Sequence, residues 1–196
     1  MRAGGIRLGA WHHFGRFDDL RFDISGLSLA DPSSVGIPKR LLGESGIYVV
    51  LDQQPYRPPG GDAQSGIGIF SRTAAAQPDR SPIDFYIDGG IVVSGLVPGR
   101  PKDSFGAAFI YSNVSNRASA LDRDGNFFND GRQPVRDYEL SFEFTYAAEI
   151  LPGWTLQPNL QIVIHPGGNI PDPNNPSGLT PIRDATLVGL RSTIHY

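Results

Sequence analysis

Cysteine is missing from all 196 residues, which removes disulfide staples and thiolate metal sites from consideration. Its absence also suits an oxidising compartment in which no staple is wanted. Lysine is nearly missing as well, with only Lys39 and Lys102 beside fifteen arginines. A GC-rich genome is the bland cause. The functional one is that planar guanidinium groups suit fixed hydrogen bonding and stacking better than flexible ammonium groups. With a formal net charge of −3 there is no basic stripe, which argues against a nucleic-acid partner. Hydrophobic residues make up 39%, against roughly 45–50% in ordinary globular domains, an average that also counts glycine. The apolar runs are a few residues long, so no membrane-crossing helix of about 20 residues exists. "MRAGGIRLGA" at the start has neither the apolar core nor the small-residue cleavage site of a signal peptide. Helical periodicity is almost wanting too. No Ser/His/Asp arrangement sits at a strand-to-helix turn, so neither an enzyme nor a cofactor is expected.

What the chain does have is alternation with a period of two. In "YELSFEFTYA", Tyr138, Leu140, Phe142, Phe144 and Tyr146 share one face, and Glu139, Ser141, Glu143, Thr145 and Ala147 the other. "WTLQPNLQIVIH" repeats the pattern, with Pro158 weakening it slightly because proline lacks a ladder donor. Similar segments lie near 5–14, 47–54, 66–74, 83–94 and 104–113, and the last is 185–196. These predict eight strands of about the 9–11 residues that a tilted membrane strand needs. The intervening connections are long near 15–46, 114–136 and 166–184, moderate at 55–65 and 75–82, and short at 96–103 and 150–153. An up-and-down transmembrane barrel puts its short turns at one end and its long loops at the other. Tyr111, Tyr138, Tyr146, Trp154 and Tyr196 fall near strand ends, as an interfacial aromatic girdle requires. A soluble sugar-binding β-sandwich also alternates apolar with polar residues, and stays open at this point.

The stretches "GAWHHFGRFDDLRFD", "GIYVVLDQQPYRPPG", "IDFYIDGGIVVSGLVPGRPKDSFGAAFIYSNVS" and "RDYELSFEFTYAAEILPGWTLQPNLQIVIHPGGN", with the terminal "TLVGLRSTIHY", resemble the carbohydrate-selective porins of Gram-negative outer membranes (OprB type). The resemblance implies an all-β, antiparallel up-and-down barrel of sixteen strands through which small sugars diffuse passively. This chain resembles the C-terminal half of such a barrel. The implied partners are small sugars, outer-membrane lipid and lipopolysaccharide, the barrel assembly machinery that reads the terminal strand, and an N-terminal half with the other eight strands. Three origins compete for the eight-strand length: a gene fragment or misplaced start, a split porin completed by a second chain, and a small closed barrel. The first is favoured. A non-conducting eight-stranded outer-membrane barrel with a structural or surface-binding role is the alternative function.

In such a barrel the polar face of each strand points into the pore. The candidates are Arg7, Trp11 and His13; Asp52 and Gln54; Arg72; Asp84 and Asp88; Glu139 and Glu143; Gln157, Asn159, Gln161 and His165; and Arg191 and His195. Arg7, Trp11, Arg72 and Arg191 have the chemistry to contact a passing sugar, through multidentate donors or an aromatic face. The competing reading is that inward Arg and carboxylate groups merely satisfy one another across the strands. Adjacent His12 and His13 point to opposite faces, and His165 and His195 lack metal-ligand spacing. "DRDGN" at Asp122–Asn126 has Gln133 where a calcium loop needs a bidentate Glu, and is expected as an Asx-rich outer loop. "GRPKDS" lacks the glycine and Gly-Lys-Ser/Thr frame of a phosphate loop.

Overall fold

The computed structural model describes residues 4–62 and 65–195. Its strands are β1 (Gly4–Asp23), β2 (Pro38–Tyr56), β3 (Gly66–Ala76), β4 (Ile83–Ser94), β5 (Ser104–Val114), β6 (Tyr138–Leu151), β7 (Trp154–Ile164) and β8 (Ala185–Ile194). All eight lie in one sheet in chain order, each antiparallel to the next, with β1 and β8 as its edges. A sandwich would need two packed sheets, so that alternative falls. Burial agrees: among the described residues the buried apolar side chains are Val114 and Ala118 alone. A water-soluble domain of this length would hide far more apolar surface. Instead the apolar face stands open, with Leu8 79%, Phe14 83% and Val188 81% exposed. Register joins these residues into one surface: Leu8 opposes Val49, Phe142 opposes Ile162, and Leu160 opposes Val188.

Two expectations need correction. The segment 15–46 is mostly ladder, since β1 continues to Asp23 and β2 begins at Pro38, leaving 24–37 as the loop. Alternation fades there because polar residues suit both faces, and a register shift between His13 and Arg16 breaks the period. The connection 114–136 also holds a helix, α1 (Asn116–Phe128), and "DRDGN" lies inside it rather than in a loop. Its amphipathic pattern is weak; the helix rests on its cap and on docking. Ser115 accepts the N–H of Ala118, and Asn129 closes the other end on the Gly125 carbonyl. A glycine turn over Pro166–Asn169, with Gly167 and Gly168 left-handed at φ 71° and 76°, follows β7. Tyr196, expected in the girdle, lies outside the described residues.

The α1 helix straps two distant parts of the sheet together. Arg21 of β1 grips Asp124 with both nitrogens, at 2.7 and 2.9 Å, and Ser28 adds a hydrogen bond of 2.6 Å. On the other side Arg136, which leads into β6, grips Asp122 at 2.8 and 2.7 Å. The strap thereby ties β1 to the β5–β6 connection across three intervening strands. Burial pushes the Asp124 carboxyl up, but the Arg21 guanidinium and the Ser28 hydroxyl outweigh it and hold it below the usual 3.8. A carboxyl depressed in the folded state stabilises above its unfolded value and loses that contribution as pH falls toward its folded value. Amide protection of α1 should therefore be level from neutral pH down to about 4 and decline below. Asp124→Ala should lower the protection by about 2 kcal/mol at neutral pH and flatten its acid limb, as read by hydrogen exchange.

At the opposite end the connections are 57–65, 95–103 and 152–153, and only the last is a tight turn. Asp103 is buried and takes hydrogen bonds from Arg100 at 2.7 Å, Tyr146 at 2.5 Å and the Glu149 N–H at 3.0 Å. Pro152–Gly153 closes β6 onto β7, and Gly153 at φ 83° supplies the left-handed position of a type II turn.

Candidate functional site on the polar face

Register places the polar residues in rows across the sheet. One row runs Arg7, Val50, Arg72, Asp88, Ile110, Ser141; the next runs Asp52, Phe70, Gly90, Ala108, Glu143, Gln161. Arg7 and Arg72 thus stand two strands apart, roughly 10 Å at the usual strand spacing. Each holds a carboxylate: Arg7 bonds Asp52 at 3.0 Å, and Arg72 bonds Asp88 at 2.8 Å through Nε and 2.6 Å through a terminal nitrogen.

The two pairs differ in kind. Both members of Arg7–Asp52 are exposed, with side chains 68% and 54% accessible, so water screens them. In the other pair Arg72 is 61% accessible while Asp88 is only 3%. Asp88 is not itself a lining group, as the alternation suggested; it lies beneath Arg72 and Tyr86. Tyr86 donates to the same Asp88 oxygen at 2.6 Å, and Ser71 donates to the Asp88 carbonyl at 2.8 Å. The result is a guanidinium fixed along one edge, with its charge balanced and most of its surface accessible. Tyr86 was legible in principle, because it sits two residues before Asp88 and shares its face. Nothing in the alternation, however, marked it as the hydrogen-bond partner.

Other candidates take different places. Glu143 accepts from Gln161 at 3.2 Å, and Gln157 donates to Thr145 at 2.9 Å. Asn159 stands opposite Gly189 on this face, and the Gln54 amide donates to the Ser65 carbonyl at 3.1 Å. Arg191 stands opposite Gln157 on β8 and makes no ion pair with a described residue. Asp84 sits at the irregularity between Ile83 and Phe85 and accepts from Asn113 at 2.8 Å, which ties it into the rim. Glu139 accepts the Gly167 N–H of the β7–β8 connection at 2.6 Å. His13 accepts the Gly15 N–H at 2.9 Å and meets Phe17 edge-on. His165 leaves the face altogether. The strand ends at Ile164, His165 turns left-handed at φ 51°, and its ring packs 4.7 Å from Tyr138 and 3.0 Å from Asp137. Past β8, His195 donates its backbone N–H to Gly153.

Besides Tyr86, three aromatics of this face behave alike. Trp11 opposes Gly46, Tyr48 opposes Gly9, and Phe70 opposes Gly90. Each ring occupies the space a Cβ on that glycine would need; at Gly46 the Trp11 Nε1 would be 2.5 Å away, and at Gly90 the Phe70 ring 2.8 Å. The rings therefore lie across the sheet.

The sequence model described as "Carbohydrate-selective porin, OprB family" matches residues 2–196. "Porin B" of Pseudomonas aeruginosa is 27% identical over 173 residues, covering 84% of this chain and 37% of that protein. The high-pH structure of Pseudomonas putida OprB superposes with a TM-score of 0.80 at 24% identity, over 98% of this chain and 44% of that one. The chain thus spans less than half the length of either relative.

Proposed function

The chain belongs to the carbohydrate-selective porin family, OprB, and from that premise we propose that its polar face lines an outer-membrane pore through which small sugars diffuse passively. The apolar face then meets lipid and lipopolysaccharide. The unpaired edges of β1 and β8 must be satisfied in hydrocarbon, where exposed backbone groups are not tolerated. In this reading further strands, those of the family's larger barrel, complete the wall. The barrel assembly machinery reads β8 on the way in.

The observation that carries the proposal is Arg72 on its buried Asp88 and Tyr86 support. A bare guanidinium would hold anions. One whose charge is balanced by Asp88 still offers planar donors, and these match pairs of sugar hydroxyls without selecting for charge. A sugar exchanges part of its hydration for these donors and moves on, because conduction needs binding weak enough for release. No bond is made or broken and no energy is consumed; the gradient drives the flux.

Flux through proteoliposomes that hold this chain within the completed barrel tests this. Arg72→Lys retains a cation for Asp88 and removes the planar fork. It should reduce glucose permeability by about threefold to tenfold while ionic conductance stays near the wild-type value. Arg7→Ala, at an exposed pair, should alter flux with a stability change under about 1 kcal/mol. If both variants lower stability and leave flux alone, these arginines are wall rather than filter. A folded, heat-modifiable barrel with its wall complete that passes neither ions nor sugar would instead support the non-conducting role.

A further inference from the structure

We infer that Trp11, Tyr48 and Phe70 form a stacking ramp for the ring form of the sugar, built by three opposing glycines; this rests on the pore reading above. An aromatic side chain on a strand normally stands away from the sheet, presenting its edge. Here each of the three is laid over the residue directly opposite, which in every case is glycine: Gly46, Gly9 and Gly90. One side of the ring covers backbone, so the other side is left facing the polar surface. Trp11 and Tyr48 remain 42% and 41% exposed despite this contact.

Their order along the sheet has a direction. The Trp11–Gly46 pair comes first from the loop end, then Gly9–Tyr48, then the row of Arg7 and Arg72, then the row of Phe70. Successive rows are two residues apart, or about 7 Å along the strands. Two ring faces thus precede the arginine row and one follows it. A pyranose has a C–H-rich face and a rim of hydroxyls. The rings take the face and Arg72 the rim, so one sugar touches both kinds of group at once. The same layout discriminates by shape: an acyclic hexitol with equivalent hydroxyls has no ring face to offer. The glycines are the specificity-determining positions, because a side chain there turns the rings away from the wall.

The sequence contains two tryptophans, Trp11 and Trp154, so Trp154→Phe leaves Trp11 as the single indole reporter in the detergent-solubilised chain. Glucose should change its fluorescence saturably, and sorbitol should not. In that background Tyr48→Ala should weaken the glucose response about fivefold, whereas Tyr48→Phe should retain it. Gly46→Ala keeps the indole but displaces it, and should weaken glucose binding as Tyr48→Ala does. Equal responses to glucose and sorbitol, or an affinity indifferent to Tyr48→Ala and Gly46→Ala, would overturn the ramp. Flux through the completed barrel with a silent Trp11 also sinks it while sparing the pore; a Trp11 response in a completed barrel without flux sinks the pore and spares the ramp.

Discussion

Asp23→Ala is expected to leave the sheet in place and release the loop 24–37, so that a protease cuts there many times faster than in the wild type. Asp23 is fully buried at the end of β1 and accepts five hydrogen bonds. One carboxylate oxygen takes the Ser25 N–H and hydroxyl at 2.8 and 2.7 Å and the Leu27 N–H at 2.9 Å. The other takes the Ser34 hydroxyl at 2.7 Å and the Val35 N–H at 3.0 Å. Both ends of the loop therefore hang on one side chain. Buried donors left without it lose far more than the net value of each bond, because they are cut off from water as well. Asp23→Asn should fail nearly as badly, since its amide nitrogen would face donors on one side. The release should spread. Ser28 lies in this loop and bonds Asp124, so exchange protection of α1 should fall together with that of 24–37. Limited proteolysis read by mass spectrometry, with heat-modifiability as the control for the sheet, distinguishes this from global unfolding. Cutting confined to other loops would refute it.

The second large effect belongs to Asp88. Asp88→Asn keeps an oxygen for Tyr86 and Arg72 but removes the compensating charge, and the polar face gains one unit of positive charge beside an exposed guanidinium. At about 4 Å in water-like surroundings a unit charge is worth about 1 kcal/mol, which corresponds to a shift in anion over cation permeability on the order of fivefold. If the polar face lines a pore as proposed, reversal potentials under a salt gradient measure it directly in the completed, reconstituted barrel. Asp88→Ala should produce the same shift and in addition lower stability by about 2 kcal/mol. That figure sits below the usual cost of breaking a buried pair because Arg72 is mostly exposed. Unchanged selectivity in both variants would mean that Arg72 does not face the permeating ions.

Most of the strand framework was legible because alternation is a local property: it needs only neighbours along the chain and a solvent difference between the two faces. β6 and β7 read cleanly for that reason, and the family resemblance rests on the same stretches. The reading failed where the solvent difference vanishes. From His13 to Glu44 both faces accept polar residues, so a continuing hairpin looked like a loop. The α1 helix failed for a related reason. Its stability comes from Ser115 at one end and from Arg21 and Arg136 along its length, and two of those three contacts are distant in sequence.

Within the candidate site, parity along each strand puts Arg7, Asp52, Arg72 and Asp88 on the polar face, and that much follows from the order of the amino acids. The partner of each one comes from the folded sheet, because pairing across strands depends on register. Register set Arg72 against Asp88 and Tyr86, took Asp84 and Glu139 for the rim, and turned His165 away at a left-handed residue. It also set Trp11, Tyr48 and Phe70 against glycines; a slip of one residue would have sent every one of these side chains to the opposite face.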